Sequence, residues 1–103
     1  MTNKEALIAV LRVSVLDNTL IKAMLDQDVS EEATYSKEGA KSIDLCAIDV
    51  LLGLLSEPDV SEGGYSVKYD RSAVIKHLVA LAEKHGISSV LETYKPKVTA
   101  LQW

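Results

Sequence analysis

The sequence predicts a mainly all-α protein: a small bundle of four to five helices, with a short β-hairpin or extended loop near residues 60–69. Three observations predict it. Apolar residues recur at helical spacing in several separate segments. Side chains able to cap a helix stand just ahead of most of them. Strand-like alternation is confined to one stretch, SEGGYSVKYD, residues 61–70. The 103 residues suffice for one helical domain, residues 1–95, followed by a short tail, residues 96–103.

In chain order, MTNKEALIAVL opens with Thr2 as an N-cap and Glu5 three residues on, the spacing of a capping box. Leu7, Ile8, Leu11 and Val15 then fall on one helical face, and the closely spaced Val13 and Val15 leave the end of this helix open. Asp17 is placed to cap a second short helix carrying Leu20, Ile21, Met24 and Leu25 and ending near Asp26. Ser30, with Glu31 and Glu32 behind it, reads as another helix start, because carboxylates complement the positive end of a helix dipole. Gly39 marks a break or kink before the main helix.

The segment AKSIDLCAIDVLLGLL, residues 40–55, is apolar around most of its circumference. At 100° per residue, Ile43, Cys46, Ala47, Val50 and Leu54 form one apolar face, and Leu45, Ile48, Leu52 and Leu55 form a second. Only Ser42, Asp49 and Gly53 make a polar stripe. Such a helix is expected to be the central core helix, covered on both faces by the other helices or, alternatively, meeting a neighbouring subunit with its second face. Pro58 ends it, and Asp70 is placed to cap the next helix, on which Val74, Ile75, Leu78, Val79, Leu81 and Ala82 face the core. Gly86 suits a left-handed terminus, with Ile87 folding back on the last turn. SSVLETY can add a turn or two before Lys95-Pro96 stops it.

Composition narrows the function classes. The formal net charge is -4 and no run of Lys or Arg occurs, so the footprint of a sequence-specific nucleic-acid binder is missing. No segment has the length of a membrane span. The single cysteine, Cys46, lies in the apolar helix, where a buried structural thiol is expected.

No catalytic, metal-binding or cofactor-binding constellation stands out. His77 and His85 are eight residues apart on one helix, about 12 Å along its axis at ~1.5 Å per residue, too far to share a metal ion. His85 is expected to be partly buried in the last turn, its imidazole interacting with the helix terminus. Asp44 and Asp49 point in different directions and make a poor acid/base pair, while Lys41 and Asp44 suit a surface or interfacial ion pair. Gly63-Gly64 lacks the helix context and Lys-Ser/Thr ending of a phosphate loop.

The remaining candidates are interaction surfaces. Gly63-Gly64 can turn a hairpin pairing residues 60–62 with 65–67, and the alternating Tyr65, Val67 and Tyr69 then line an edge that either meets another chain or packs on its own domain. Leu45, Ile48 and Leu52 offer the second face of the apolar helix, and Val98, Leu101 and Trp103 make the tail apolar, to fold back or to dock in a partner. The tetrapeptide DVSE occurs at residues 28–31 and 59–62, each time after an apolar segment, and reads as two similar helix entries or exits rather than a repeat.

The order of a helical first half, SIDLCAIDVLLGLL, SEGGYSVKYD and SAVIKHLVALAEKHG resembles the small head-tail connector, or adaptor, proteins of tailed bacteriophages and prophages, over residues 3–86. The resemblance implies a structural, non-enzymatic subunit without cofactors. Such a subunit assembles as a homo-oligomeric ring beneath the portal protein and docks the next neck or tail protein. It would be made in the cytoplasm of the bacterial host and carried in the virion if phage-encoded. On that reading Gly63, Gly64, Tyr65, Val67 and Tyr69 are candidates for contacts between subunits and Trp103 for docking of the tail. The competing expectation is a free-standing helical regulatory or adaptor module that binds one cellular protein.

Overall fold

A computed structural model describes residues 1–56 and 71–94 of the chain. Five α-helices make up the described fold: α1 (Asn3–Leu11), α2 (Asp17–Asp26), α3 (Ala40–Ser56), α4 (Arg71–His85) and α5 (Ser88–Tyr94), with a single 3-10 turn at Lys37–Gly39 leading into α3. The all-helical expectation holds. The proposed hairpin and its glycines lie outside the described residues, as do Pro58, Asp70 and the tail.

The capping box at the start of α1 is formed. Thr2 Oγ1 accepts from the Glu5 N–H at 3.2 Å while Glu5 Oε1 accepts from the Thr2 N–H at 2.8 Å. The next two N–H groups of the first turn are satisfied from outside the helix, Asn3 donating to the Ala33 carbonyl at 2.9 Å and Lys4 to the Glu31 carbonyl at 3.2 Å. This explains why Ser30, Glu31 and Glu32 do not open a helix of their own. Their segment bends at residues 31–33 and lies along the amino terminus, which it meets in an isolated antiparallel bridge between Thr2 and Thr34, with the Tyr35 N–H donating to the Met1 carbonyl. In a helix those carbonyls would point along its axis to their own i+4 donors, and α1 would keep its orphan N–H groups.

α1 stops at Leu11 because Arg12 takes left-handed backbone at φ 60°. Leu7 and Leu11 are buried, but Val15 falls beyond the helix, and Ile8 keeps half of its surface exposed. Leu16, not Asp17, occupies the N-cap of α2; Asp17 sits one residue inside and pairs with Lys4 of α1. Leu20, Ala23 and Met24 turn inward while Leu25 points out.

α3 is the central helix, as its two apolar faces require. α1 and α2 pack on each other and on α3; α4 packs on α3, and α5 on α4. α3 therefore stands between an α1–α2 layer and an α4–α5 layer. Ile43, Cys46, Ala47, Ile48, Val50, Leu51 and Leu55 are buried along it, and each aliphatic side chain so buried contributes about 1.5–3 kcal/mol. Leu51 belongs to neither face assigned from the sequence, yet it is fully buried, because α3 is covered from two layers.

Two side chains tie the layers at their margins. His77 on α4 donates from Nε2 to the Val10 carbonyl in the last turn of α1, and Arg71 Nη1 donates to the Leu55 carbonyl near the end of α3 at 3.2 Å. Both carbonyls belong to helix ends that lack an intrahelical partner. α4 closes as expected: Gly86 is left-handed at φ 66° and the Ile87 N–H reaches back to the Ala82 carbonyl at 2.9 Å.

Candidate functional site

Among the described residues, the most enclosed charged groups meet where the first turns of α3 face the last turn of α4. Asp44 is buried on α3 because its position points toward α4, and its Oδ2 accepts from His85 Nε2 at 2.8 Å and from Lys84 Nζ at 3.0 Å. The Asp44 and His85 side chains retain 6% and 11% of their exposure, whereas Lys84 remains 62% exposed. One carboxylate oxygen thus receives a donor from the inside and another from solvent. The expected Lys41–Asp44 surface pair is replaced by this cluster, since Asp44 faces into the bundle and Lys41 is exposed. His85 is partly buried as expected, but its partner is a side chain of α3 and not its own helix terminus.

The chemistry of this cluster is that of a clasp. A carboxylate can only accept, so the imidazole donates from Nε2, and Lys84 adds a second charge-assisted bond. Among the described residues, no group of three or more His, Cys, Asp or Glu side chains is arranged to hold a metal ion. His77 is committed to the Val10 carbonyl on the other side of α4's length. Asp49 points away from Asp44 into solvent and accepts from Gln27 Nε2 at 3.0 Å, tying α3 to the end of α2.

Cys46 is fully buried, its Sγ 3.6 Å from the Ala23 carbonyl. Burial, reinforced by the charge of Asp49, pushes its thiol up from 9.0 to about 11. It is a packing residue with a weak S–H donor, in agreement with the sequence expectation.

The interaction residues chosen from sequence are distributed unevenly. Ile48 is buried within its own chain, while Leu45 and Leu52 are half-buried against the core and keep part of their surface. Gly63, Gly64, Tyr65, Val67, Tyr69 and Trp103 lie outside the described residues. What sequence reasoning missed is that Met1, Ile8, Leu16 and Leu25 are the large hydrophobic side chains left exposed among the described residues, and all four belong to the α1–α2 layer. Helical periodicity assigned Ile8 and Leu25 to buried faces. The available signal was the width of those faces: two adjacent apolar residues per turn, as in Leu7-Ile8 and Met24-Leu25, cannot both point inward on a helix that packs on one side.

No described helix is long and apolar enough to cross a membrane. The molecule is thus a small all-helical domain whose enclosed polar groups join one helix to another. By sequence it belongs to a family of unknown function, DUF6706, whose model matches residues 1–103. No curated protein and no solved structure matches the chain.

Proposed function

We propose that this chain is a structural subunit of a phage or prophage particle: a head-tail connector that assembles with copies of itself into a ring beneath the portal and docks the next neck or tail protein. The observation that carries the reading is the pairing of polar groups that serve as helix-to-helix clasps with large apolar side chains left in solvent, among the described residues, on the α1–α2 layer. A subunit whose work is assembly needs adhesive surface and no reaction centre. The helix order and size that resemble connector subunits supply the particular assembly. On this reading the protein is non-enzymatic, is made in the bacterial cytoplasm and leaves it in the virion.

The test is the solution mass of the purified chain by light scattering over a wide concentration range, alone and with a phage portal protein, followed by negative-stain imaging. Closed rings, alone or on the portal, are the expected result. A monomer that ignores the portal and binds one cellular protein at a single saturable site would replace this reading with that of a regulatory adaptor.

A further inference from the structure

The two layers that flank α3 differ in charge as well as in exposed apolar surface. Residues 1–32, which include α1 and α2, carry six carboxylates against three basic side chains, and most of the six are exposed. Two of those bases are already engaged within the layer, Lys4 with Asp17 and Lys22 with Asp26. Asp28, Glu31 and Glu32 cluster in sequence just beyond α2, next to Leu25, which is 71% exposed. Residues 71–103 reverse the balance, with five basic side chains against two carboxylates. Two of the five, Lys95 and Lys97, lie in the nine residues that follow α5, together with Val98, Leu101 and Trp103. One layer is acidic with stranded aliphatic side chains; the chain leaves the other layer through a segment that is basic and apolar.

We infer that residues 95–103 of one copy dock on the α1–α2 face of a second copy, Val98, Leu101 and Trp103 covering Ile8 and Leu25 while Lys95 and Lys97 meet the carboxylates around α2. Opposite charge and a common apolar character match residues 95–103 to this face. That the face belongs to a second copy follows from the connector reading, in which copies of this chain assemble.

The contact is heterologous, using a different surface on each partner. Repeated with a closing rotation it makes a ring, and without closure an open filament. The inference rests on the connector reading for assembly between copies and for closure, and charge complementarity sets the order of assembly: the opposite fields of the two surfaces steer the encounter and disfavour like-layer pairing.

The experiment uses two full-length variants. In the face variant Ile8→Glu and Leu25→Glu place carboxylates on the acidic layer; in the tail variant Leu101→Glu and Trp103→Glu remove the apolar anchors. Both face positions are solvent-exposed, at 50% and 71%, so helicity by circular dichroism should match the wild type. Each variant alone should be monomeric by light scattering where the wild type is oligomeric. Mixed, they should give a 1:1 dimer that grows no further, because one supplies the only working tail and the other the only working face. That dimer should weaken as salt is raised, since its charges lie at the surface.

Rings that persist in both variants would overturn this contact and leave the connector reading standing on another interface. Loss of oligomers in both variants with no dimer on mixing would also overturn it, as would a tail variant alone that still assembles. A wild type that stays monomeric at every concentration rejects the contact as an assembly contact, and the portal mixing experiment then decides the connector reading by itself.

Discussion

Asp44 and His85 are 41 residues apart in the chain and 2.8 Å apart in the fold, joined across α3 and α4 at a depth where solvent barely reaches either side chain. The pair closes one end of the α3–α4 contact, as Arg71 bonded to the Leu55 carbonyl closes the other. Among the described residues, these two bonds, the Lys84–Asp44 ion pair and the apolar contacts between them hold α4 on α3. Removing His85 leaves a buried carboxylate with only the exposed Lys84; removing Asp44 strands an imidazole.

Asp44→Ala and His85→Ala should each destabilise the protein by about 1–3 kcal/mol in urea unfolding, the cost of leaving a buried polar partner unsatisfied. The double variant should lose less than the sum of the two, with a coupling of about 1 kcal/mol or more. Lys84→Ala should cost much less, because exposed ion pairs contribute about 0–1 kcal/mol. Additive losses in the double variant would mean that the two groups do not depend on each other.

Much of this arrangement was legible in the sequence, and the failures have physical causes. Local signals were read correctly where one element determines its own boundary: Thr2 and Glu5 cap α1, Gly86 ends α4, and Gly39 precedes α3. Signals that need a second element were not. Ser30, Glu31 and Glu32 have the composition of a helix start, but α1's unsatisfied N–H groups compete for the carbonyls of that segment and win. Asp44 has a lysine three residues before it and so suggests a local pair; only the crossing of α4 over α3 supplies His85. The candidate surface on α3 was read from periodicity that could not say how many helices cover it, and Ile48 is consumed inside the chain.

The α1 cap gives a pH-dependent prediction. Hydrogen bonds from the backbone and hydroxyl of Thr2 hold the Glu5 carboxyl below its ordinary 4.5. A lowered carboxyl contributes stability that is complete above 4.5 and is lost as pH falls through the folded value. Thr2→Ala should reduce stability by about 0.5–2 kcal/mol near neutral pH, the usual cost of losing an N-cap hydroxyl. The gap between wild type and Thr2→Ala should narrow as the solution is acidified below pH 4.5. A gap that stays constant down to pH 3 would separate the cap from Glu5 ionisation.

α2 and α4 end in the same way with different residues. The Val29 N–H returns to the Met24 carbonyl at 2.8 Å and the Asp28 N–H to Leu25 at 3.0 Å, around a left-handed Asp28 at φ 57°; Gly86 plays that part after α4. The first DVSE tetrapeptide is thus a helix exit. A side chain in left-handed backbone costs roughly 1–2 kcal/mol relative to glycine, somewhat less for aspartate. Asp28→Gly should therefore raise the unfolding midpoint and Gly86→Ala lower it. The same sign for both substitutions would refute the equivalence of the two termini.

Gly53 offers a separate probe of α3. It lies inside the helix, exposed, with no atom within 4 Å of where a Cβ would stand. Glycine in a helix interior is less favourable than alanine by about 0.8–1 kcal/mol. Gly53→Ala should stabilise the isolated chain by close to that amount in urea unfolding. A loss of stability instead would place another part of the chain hard against this turn of α3.

Cys46 yields the last prediction, at the alkaline end. Its thiol is pushed up to about 11 by burial first and the Asp49 charge second, against an ordinary 9.0 in the unfolded chain. With the folded value raised, the unfolded state gives up its proton first. The contribution of the protonated thiol is therefore fully present below pH 9 and is lost as pH rises toward 11. Wild-type stability should fall across that window more steeply than that of Cys46→Ala, which has no thiol to ionise, after its constant loss from the vacated volume is subtracted. The same burial should make native Cys46 react with a disulfide reagent at pH 8 only as fast as the protein opens, with full reactivity in urea. Rapid labelling of the native chain at a rate independent of added stabiliser would show that α2 leaves the sulfur uncovered.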